Sequence, residues 1–211
     1  MMNRQSIRLR GYDYSQAGAY FITLCIENRE YLLGDVVDGV MQLNDFGKVI
    51  VDSWLWLASR YVYVELDEYV VMPNHFHAVL VITDDGRNTV GAIRESPVHI
   101  IDGGKGGSRT APTKKTLGRL IGAFKTVSTK KINQLRNTPA MPLWQRNYFE
   151  RVVRDENELR LIREYIVNNP MRWQYDKLNG DNGRGDNTCR DEDLRRGGSR
   201  TAPTEIGRAW V

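Results

Sequence analysis

Residues 70–82 read VVMPNHFHAVLVI, two apolar runs separated by a Pro-Asn pair. Apolar runs bounded by turn residues predict two strands, and the Pro-Asn pair predicts the turn that joins them into an antiparallel hairpin. Successive side chains of a strand point to opposite faces, so His75 and His77 share one face while Phe76 lies on the other. Two imidazoles on one face can hold a metal ion, although a surface pair on a half-exposed sheet is the plainer alternative.

Three further segments of the sequence indicate strands. Residues 19–26 are rich in aromatic and β-branched side chains, which predicts a buried strand. Residues 31–43 predict a small hairpin that turns at an Asp-Gly pair, because this pair favours a tight two-residue turn. Residues 144–153 contain a short last strand, and the first strand of the histidine hairpin extends back to about residue 62.

Two segments place apolar side chains at helical spacing. Residues 46–60 and 114–135 are predicted to form amphipathic helices. Asp45 is predicted to cap the first of them, because its carboxylate can accept a hydrogen bond from a free backbone N–H. The second helix carries lysines around its other face, Lys125 among them. A solvated lysine face is the ordinary interpretation, and contact with DNA phosphates makes Lys125 a candidate binding residue.

The order of these elements, with the small hairpin set aside, is β-α-β-β-α-β followed by a final helix. This order predicts an α+β fold of the ferredoxin-like type, an antiparallel sheet with helices on one face. We expect one domain over residues 1–178. Residues 84–113 and 179–211 are poor in large apolar side chains, which predicts a flexible insertion and a disordered tail. Each contains one copy of the sequence GGSRTAPT, whose role the sequence leaves open.

The overall composition limits the class of protein. With 211 residues, of which 41% are hydrophobic, the chain can bury one sizeable core. It has no apolar run long enough to span a membrane, and its start lacks the apolar segment of a secretory signal. We therefore expect a cytoplasmic protein with no membrane partner. A net charge of +4 is compatible with nucleic-acid binding without establishing it.

A basic and aromatic arm begins the chain. Arg4, Arg8 and Arg10 precede Tyr12 and Tyr14. Arginine for phosphate and tyrosine for base stacking are the side chains that single-stranded nucleic acid favours, so these five residues are candidate DNA contacts. The alternative is a solvated terminus whose tyrosines cover the core.

The last predicted helix covers residues 156–168 and is capped by Asp155. Tyr165 and Asn169 are separated by four residues, so both lie on the same side of this helix. The apolar stripe of the helix leaves Tyr165 at its edge, where the side chain can reach a pocket. A tyrosine at such a position more commonly packs than reacts.

Four short motifs occur along the chain. They are RLRGYDY at residues 8–14, MPNHFH at 72–77, WQRNYFER at 144–151 and REYIVNNP at 163–170. In this combination they resemble the REP-associated tyrosine transposases, which are single-tyrosine transposases similar to those of the IS200/IS605 insertion sequences. The resemblance covers residues 4–83 and 114 to about 175.

This resemblance implies a ferredoxin-like enzyme that cuts single-stranded DNA near palindromic hairpins and joins strands through a 5′-phosphotyrosine intermediate, with Mg or Mn as cofactor. Matched by position, His75 and His77 are the metal-binding histidines and Tyr165 is the nucleophile. Asn169 stands where some relatives have glutamine as a third ligand. Relatives include dimers with shared active sites, so a monomer and a homodimer both stay open.

Three other functions are compatible with the same residues. Paired histidines with a tyrosine also occur in rolling-circle replication initiators and conjugative relaxases. A protein that binds hairpin DNA without cutting it would use the histidines structurally. A metal hydrolase with a small substrate would need a third His, Asp or Glu within reach of the pair.

Overall fold

A computed structural model describes residues 11–84 and 115–179 of the chain. Arg4, Arg8 and Arg10 lie outside the described residues. So do both copies of GGSRTAPT and, apart from their first residues, the predicted insertion and tail.

Within the described residues, six strands form two sheets. The strands are β1 (Gly18–Cys25), β2 (Gly34–Val37), β3 (Val40–Leu43), β4 (Val64–Val71), β5 (His75–Ile82) and β6 (Phe149–Val152). Four of them form one antiparallel sheet in the order β4-β5-β1-β6, while β2 and β3 form a separate hairpin. This hairpin turns at Asp38 and Gly39, whose φ angles of 51° and 74° suit a two-residue hairpin turn. The predicted hairpins are both confirmed.

The described part of the chain also contains three α-helices. They are α1 (Asp45–Arg60), α2 (Leu117–Leu135) and α3 (Glu156–Asn168), and a 3₁₀ helix (Pro170–Tyr175) follows α3. The cap predicted for α1 is wrong by one residue: Asn44 is the N-cap, and its side chain accepts a hydrogen bond from the backbone N–H of Gly47 at 3.0 Å. Asp155 caps α3 as predicted. None of the helices within the described ranges is long and apolar enough to cross a membrane.

One face of the main sheet carries α1 and α2. Alternate residues of β1 and β5, such as Tyr20, Phe76 and Leu80, point into this core with Trp54 of α1 and Phe124 of α2. The Trp54 ring lies edge-on to Phe76 and Phe124, at centroid distances of 5.1 and 5.3 Å. The two helices between strands thus pack on one face, which confirms the predicted ferredoxin-like α+β architecture.

The opposite face of the sheet carries α3. Phe21, Val79 and Phe149 form a second, smaller core with Ile162 and Ile166 of this helix. Because strand residues alternate between faces, the side chains of β5 that do not enter the α1 and α2 core, the two histidines among them, point toward α3. The final helix therefore covers the side of the sheet on which the predicted site lies.

An ion pair ties α3 to an irregular part of β4. The pairing of β4 with β5 shifts register between Leu66 and Tyr69, and Asp67 lies within this irregularity. Arg163 of α3 donates two hydrogen bonds to the Asp67 carboxylate, one of them from Nε at 2.8 Å. These hydrogen bonds hold the pKa of Asp67 below its ordinary value.

We expect Asp67→Asn to lower the free energy of unfolding by about 1 kcal/mol at neutral pH, the upper end for exposed pairs, because the contact is bidentate. The pKa of Asp67 is lower in the folded chain than in the unfolded chain. The stability that the Asp67 carboxylate contributes is therefore fully present above about pH 4. It is lost as the pH falls through the lower pKa that Asp67 has in the folded chain. Urea denaturation at a series of pH values measures the effect.

The matched control is Glu164→Gln, which removes the partner of Arg160 from an exposed pair on the same helix. Its cost should be only about 0.3–0.5 kcal/mol. Equal losses for the two variants would show that the Asp67 contact does not anchor α3.

Candidate metal and nucleophile site

The two histidines of β5 lie side by side beneath α3. Their side chains are fully buried, and their ring centroids are 4.5 Å apart. Their partners on the neighbouring strand β1 are Cys25 opposite His75 and Thr23 opposite His77. The pair is therefore not a surface feature of a half-exposed sheet, which was the plainer alternative.

Asn74 fixes the protonation of the His75 ring. Its amide nitrogen donates to the carbonyls of Leu178 at 2.8 Å and Arg29 at 3.4 Å, so its Oδ1 faces His75. That oxygen lies 2.8 Å from Nδ1 of His75 and can only accept, which makes Nδ1 the protonated nitrogen. Nε2 consequently carries the free electron pair, which is the form of imidazole that binds a metal.

His77 connects the strand to the tyrosine of α3. Its Nδ1 lies 2.8 Å from the hydroxyl of Thr23, and its Nε2 lies 3.3 Å from the Tyr165 hydroxyl oxygen. The Tyr165 ring is half-buried and packs edge-on against Phe21 at a centroid distance of 6.2 Å. The sequence placed Tyr165 at the edge of the apolar stripe of α3, and the structure brings its hydroxyl to the histidine pair.

Both histidines are neutral at neutral pH. Burial lowers the pKa of His75 to about 3, and the nearby Arg29 cation acts in the same direction. Burial also lowers the pKa of His77 well below its ordinary value, with a further contribution from His75. Neutral rings keep an electron pair available, so protons compete little with a metal at this site.

Asp176 is a third potential ligand that the sequence analysis missed. Its carboxylate oxygen lies 3.8 Å from Nε2 of His75, and its side chain is 8% exposed. One ligand atom from each of His75, His77 and Asp176 fits within a span of 4.8 Å. Asp176 ends the 3₁₀ helix that starts at Pro170, so no single helical spacing relates it to Tyr165. An acidic residue shortly after the tyrosine helix was the only signal available.

Asn169, the predicted third ligand, lies next to His75 in this site. It is the C-cap of α3, is 3% exposed, and lies beside the buried ring of His75. Neither its Oδ1 nor Nε2 of His75 has a hydrogen-bond partner among the described residues. Two buried electron-pair donors without partners, next to a buried carboxylate, are what a divalent cation would satisfy. The residues present therefore fit a metal, and the role of Asn169 as ligand stays a prediction.

Two of the predicted DNA contacts pack against the core instead of facing the site. Tyr12 and Tyr14 are half-buried and form an aromatic group with Tyr20, at centroid distances of 6.5 and 6.1 Å, on the face that carries α1 and α2. The packing alternative for these tyrosines is thus observed. Their contact with DNA stays a prediction, as does that of Arg4, Arg8 and Arg10.

Lys125 has a structural use. Its Nζ donates to the carbonyl of Gln145 at 2.8 Å and lies 3.4 Å from those of Arg146 and Asn147. It also lies 5.4 Å from the centre of the Tyr148 ring. Burial lowers the pKa of Lys125 to about 8, although Glu27 opposes the shift. A phosphate would have to compete with three carbonyls for this ammonium group.

Removing the carboxylate ligand should weaken metal binding. We expect Asp176→Asn to reduce the affinity for Mn²⁺ by about tenfold or more, because a neutral amide is a poorer ligand for a hard cation. Isothermal titration with Mn²⁺ measures this change. Unchanged affinity in Asp176→Asn, with loss in His75→Ala, would exclude Asp176 from the site.

Asn74→Ala should also weaken Mn²⁺ binding, by about 10–100-fold, although Asn74 is not a ligand itself. Without Oδ1 of Asn74, the proton of neutral His75 could lie on either ring nitrogen. Nε2 would then not always carry the electron pair that binds the metal. The control is Asn133→Ala, which removes another buried amide. The Asn133 side chain donates a hydrogen bond to the carbonyl of Met141 in the loop after α2. Equal effects of the two variants on Mn²⁺ affinity would contradict the role given to Asn74.

Comparison with known proteins places this geometry in context. No family model matches the chain. The chain is 34% identical over 177 residues to an uncharacterized protein of Haemophilus influenzae. The aligned region covers 83% of this chain and 93% of that protein. Among solved structures, a REP-associated tyrosine transposase bound to a REP hairpin matches with a TM-score of 0.52 and 16% identity, over 81% of this chain and 76% of that one. The chain belongs to one family with the Haemophilus influenzae protein, and its fold is that of the REP-associated tyrosine transposases.

Proposed function

We propose that the protein is a metal-dependent endonuclease and strand transferase for single-stranded DNA, acting at palindromic hairpin repeats through a 5′-phosphotyrosine intermediate. The observation that carries the proposal is the hydroxyl of Tyr165, which lies 3.3 Å from a histidine of a buried His-His-Asp group. A nucleophile and a set of metal ligands thus lie within one small site. The similar fold in a transposase bound to a REP hairpin supports hairpin DNA as the substrate.

The proposed cofactor is Mg or Mn. His75, His77 and Asp176 would hold it, with Oδ1 of Asn169 as a further ligand. When bound, a divalent cation polarises a phosphate and stabilises the negative charge that develops during displacement at phosphorus. Two imidazoles with one carboxylate suit Mn²⁺ better than Mg²⁺, because Mg²⁺ favours oxygen ligands more strongly.

Tyr165 is the proposed nucleophile. Its phenolic oxygen forms a bond to the phosphorus of the scissile phosphodiester while the bond from phosphorus to the 3′ oxygen breaks. The phenol loses its proton, and the departing 3′ oxygen takes up a proton to become a free hydroxyl. The phosphate stays on the 5′ end of the other fragment as an ester of tyrosine.

The reverse displacement would join strands. A 3′ hydroxyl attacks the phosphotyrosine, a new phosphodiester forms, and Tyr165 leaves and recovers its proton. One phosphate ester replaces another in each step, so no nucleotide hydrolysis is needed. The packing of the Tyr165 ring against Phe21 limits the movement of its hydroxyl and favours a fixed line of attack.

The covalent intermediate gives a direct test of this chemistry. A labelled hairpin oligonucleotide with Mn²⁺ should produce a protein–DNA adduct that survives a denaturing gel, and a chelator should prevent its formation. Tyr165→Phe should abolish the adduct, because phenylalanine has no oxygen to attack phosphorus. Tyr175→Phe is the matched control, since Tyr175 is 78% exposed on the following 3₁₀ helix. An adduct of normal yield in Tyr165→Phe would refute the assignment of the nucleophile.

A metal hydrolase with a small substrate is the second candidate, because Asp176 supplies the third ligand that this function needs. In such an enzyme water attacks, so Tyr165→Phe keeps the activity and no adduct forms. A protein that only binds hairpins would give no cleavage with any metal, and its binding would be unchanged by a chelator. The adduct assay therefore separates the proposed function from both alternatives, and hairpin binding that a chelator leaves unchanged separates the binding protein from the hydrolase.

A further inference from the structure

We propose that Arg29 binds a non-bridging oxygen of the scissile phosphate and stabilises the negative charge that develops there as Tyr165 attacks. The inference rests on the proposed function, because it adds a substrate contact to the same reaction. Arg29 is half-buried and ends the short 3₁₀ helix Glu27–Arg29, which follows β1.

The backbone of Arg29 is fixed beside the histidine pair. The chain leaves β1 opposite His75, since Cys25 is the β1 partner of that histidine. The backbone N–H of Ile26 then donates to the carbonyl of Asn74 at 2.8 Å. The Asn74 amide nitrogen lies 3.4 Å from the carbonyl of Arg29, and its Oδ1 lies 2.8 Å from Nδ1 of His75. One side chain therefore contacts both the peptide of Arg29 and the ring of His75.

The guanidinium of Arg29 lies toward the side of the site that holds Asp176. Its Nη1 lies 3.5 Å from the carbonyl of Lys177, the residue directly after that candidate ligand. Burial is the main cause of the low pKa of His75, and the positive charge of Arg29 adds to it. Since the effect of a charge falls with distance, the cation lies near the place where a phosphate would meet the metal ligands.

The backbone before and at Arg29 is strained. Asn28 and Arg29 have φ angles of 54° and 55°, in the left-handed region that residues with a Cβ rarely adopt. Strain of this kind persists only where the surrounding structure requires it, and it is concentrated at active sites and ligand contacts. The strained turn therefore indicates that the position of the Arg29 side chain serves a function.

A guanidinium suits the proposed contact. It is planar and presents several N–H donors, so it can bind two oxygens of one phosphate at once. The contact of Arg29 with the Lys177 carbonyl is long for a hydrogen bond. A phosphate oxygen that enters the site can therefore displace it.

Other arginines on this side of the sheet are held by carboxylates. Arg163 of α3 donates two hydrogen bonds to Asp67, and Arg151 of β6 forms an ion pair with Glu158. A phosphate would have to break either ion pair to gain these cations. Arg29, whose charge acts on the histidine pair, is the better candidate.

The test uses Arg29→Gly. Glycine adopts a φ of 55° without strain and keeps the carbonyl that Asn74 contacts, so only the guanidinium is lost. With labelled hairpin DNA, saturating Mn²⁺ and excess protein, adduct formation should be about 100-fold slower, the loss typical of one donor to developing oxygen charge. The Mn²⁺ affinity without DNA, measured by isothermal titration, should be unchanged or higher, because a cation near the ligands is removed.

Two further variants control the result. Asn28→Gly places glycine in the same turn and keeps the guanidinium, so its adduct rate and Mn²⁺ affinity should be normal. Arg29→Lys keeps the charge without the planar donors, and its adduct rate should lie between those of Arg29→Gly and the normal chain. The proposal is overturned if Arg29→Gly reacts at the normal rate, or if it loses Mn²⁺ affinity together with rate, as a structural role requires. It is also overturned if Asn28→Gly is equally slow or if lysine recovers none of the rate.

The role of Arg29 and the proposed function fail in different ways. If the normal chain and Arg29→Gly form the adduct equally fast, only the role of Arg29 is removed. If the normal chain forms no adduct with any metal, the proposed reaction is removed, and hairpin binding in a Tyr165→Phe background with Mn²⁺ decides about Arg29. Fluorescence anisotropy should then show about fivefold weaker binding for the added Arg29→Gly change, with a salt slope lower by about 0.7. Equal affinity would exclude the phosphate contact.

Discussion

The alternation of side chains along β5 is the constraint on which this structure depends. Phe76, Ala78 and Leu80 enter the core beneath α1 and α2, and His75, His77 and Val79 point to α3. A shift of one residue in the pairing with β1 would exchange these two sets and bury the imidazoles in the aromatic core. The aromatic contacts of Phe76 with Trp54 and Phe124 therefore fix the register that presents the histidines.

The group of buried polar side chains between β5 and α3 lowers the stability of the folded chain. A buried polar atom without a partner costs about 1–3 kcal/mol, and both Nε2 of His75 and Oδ1 of Asn169 are in this condition among the described residues. Such costs are large beside a typical net stability of about 5–15 kcal/mol. A ligand that binds the folded state alone returns stability, about 2.7 kcal/mol at a hundredfold excess over its Kd. A divalent cation at this position would thus act on both stability and chemistry.

The sequence was sufficient for the fold because its local patterns agree with each other. The Pro-Asn turn, the Asp-Gly turn and the cap at Asp155 each predicted a boundary that the structure confirms. The cap of α1 was misplaced because Asn44 and Asp45 are both good cap residues, and only tertiary structure decides between them. Asp176 and Asn74 could not be assigned to the site, because their roles depend on the chain folding back after Pro170 to place Asp176 and Leu178 beside β5. Lys125 likewise looked like one of several surface lysines until its carbonyl partners were known.

In the proposed reaction, Tyr165 becomes esterified to DNA beside the histidine pair. The most direct measurement is tandem mass spectrometry of the protein–DNA adduct after its DNA has been trimmed by a nuclease. We expect a residual nucleotide on Tyr165, attached through its 5′ phosphate. A nucleotide on any other residue, or cleaved DNA with no modified residue in the protein, would contradict it.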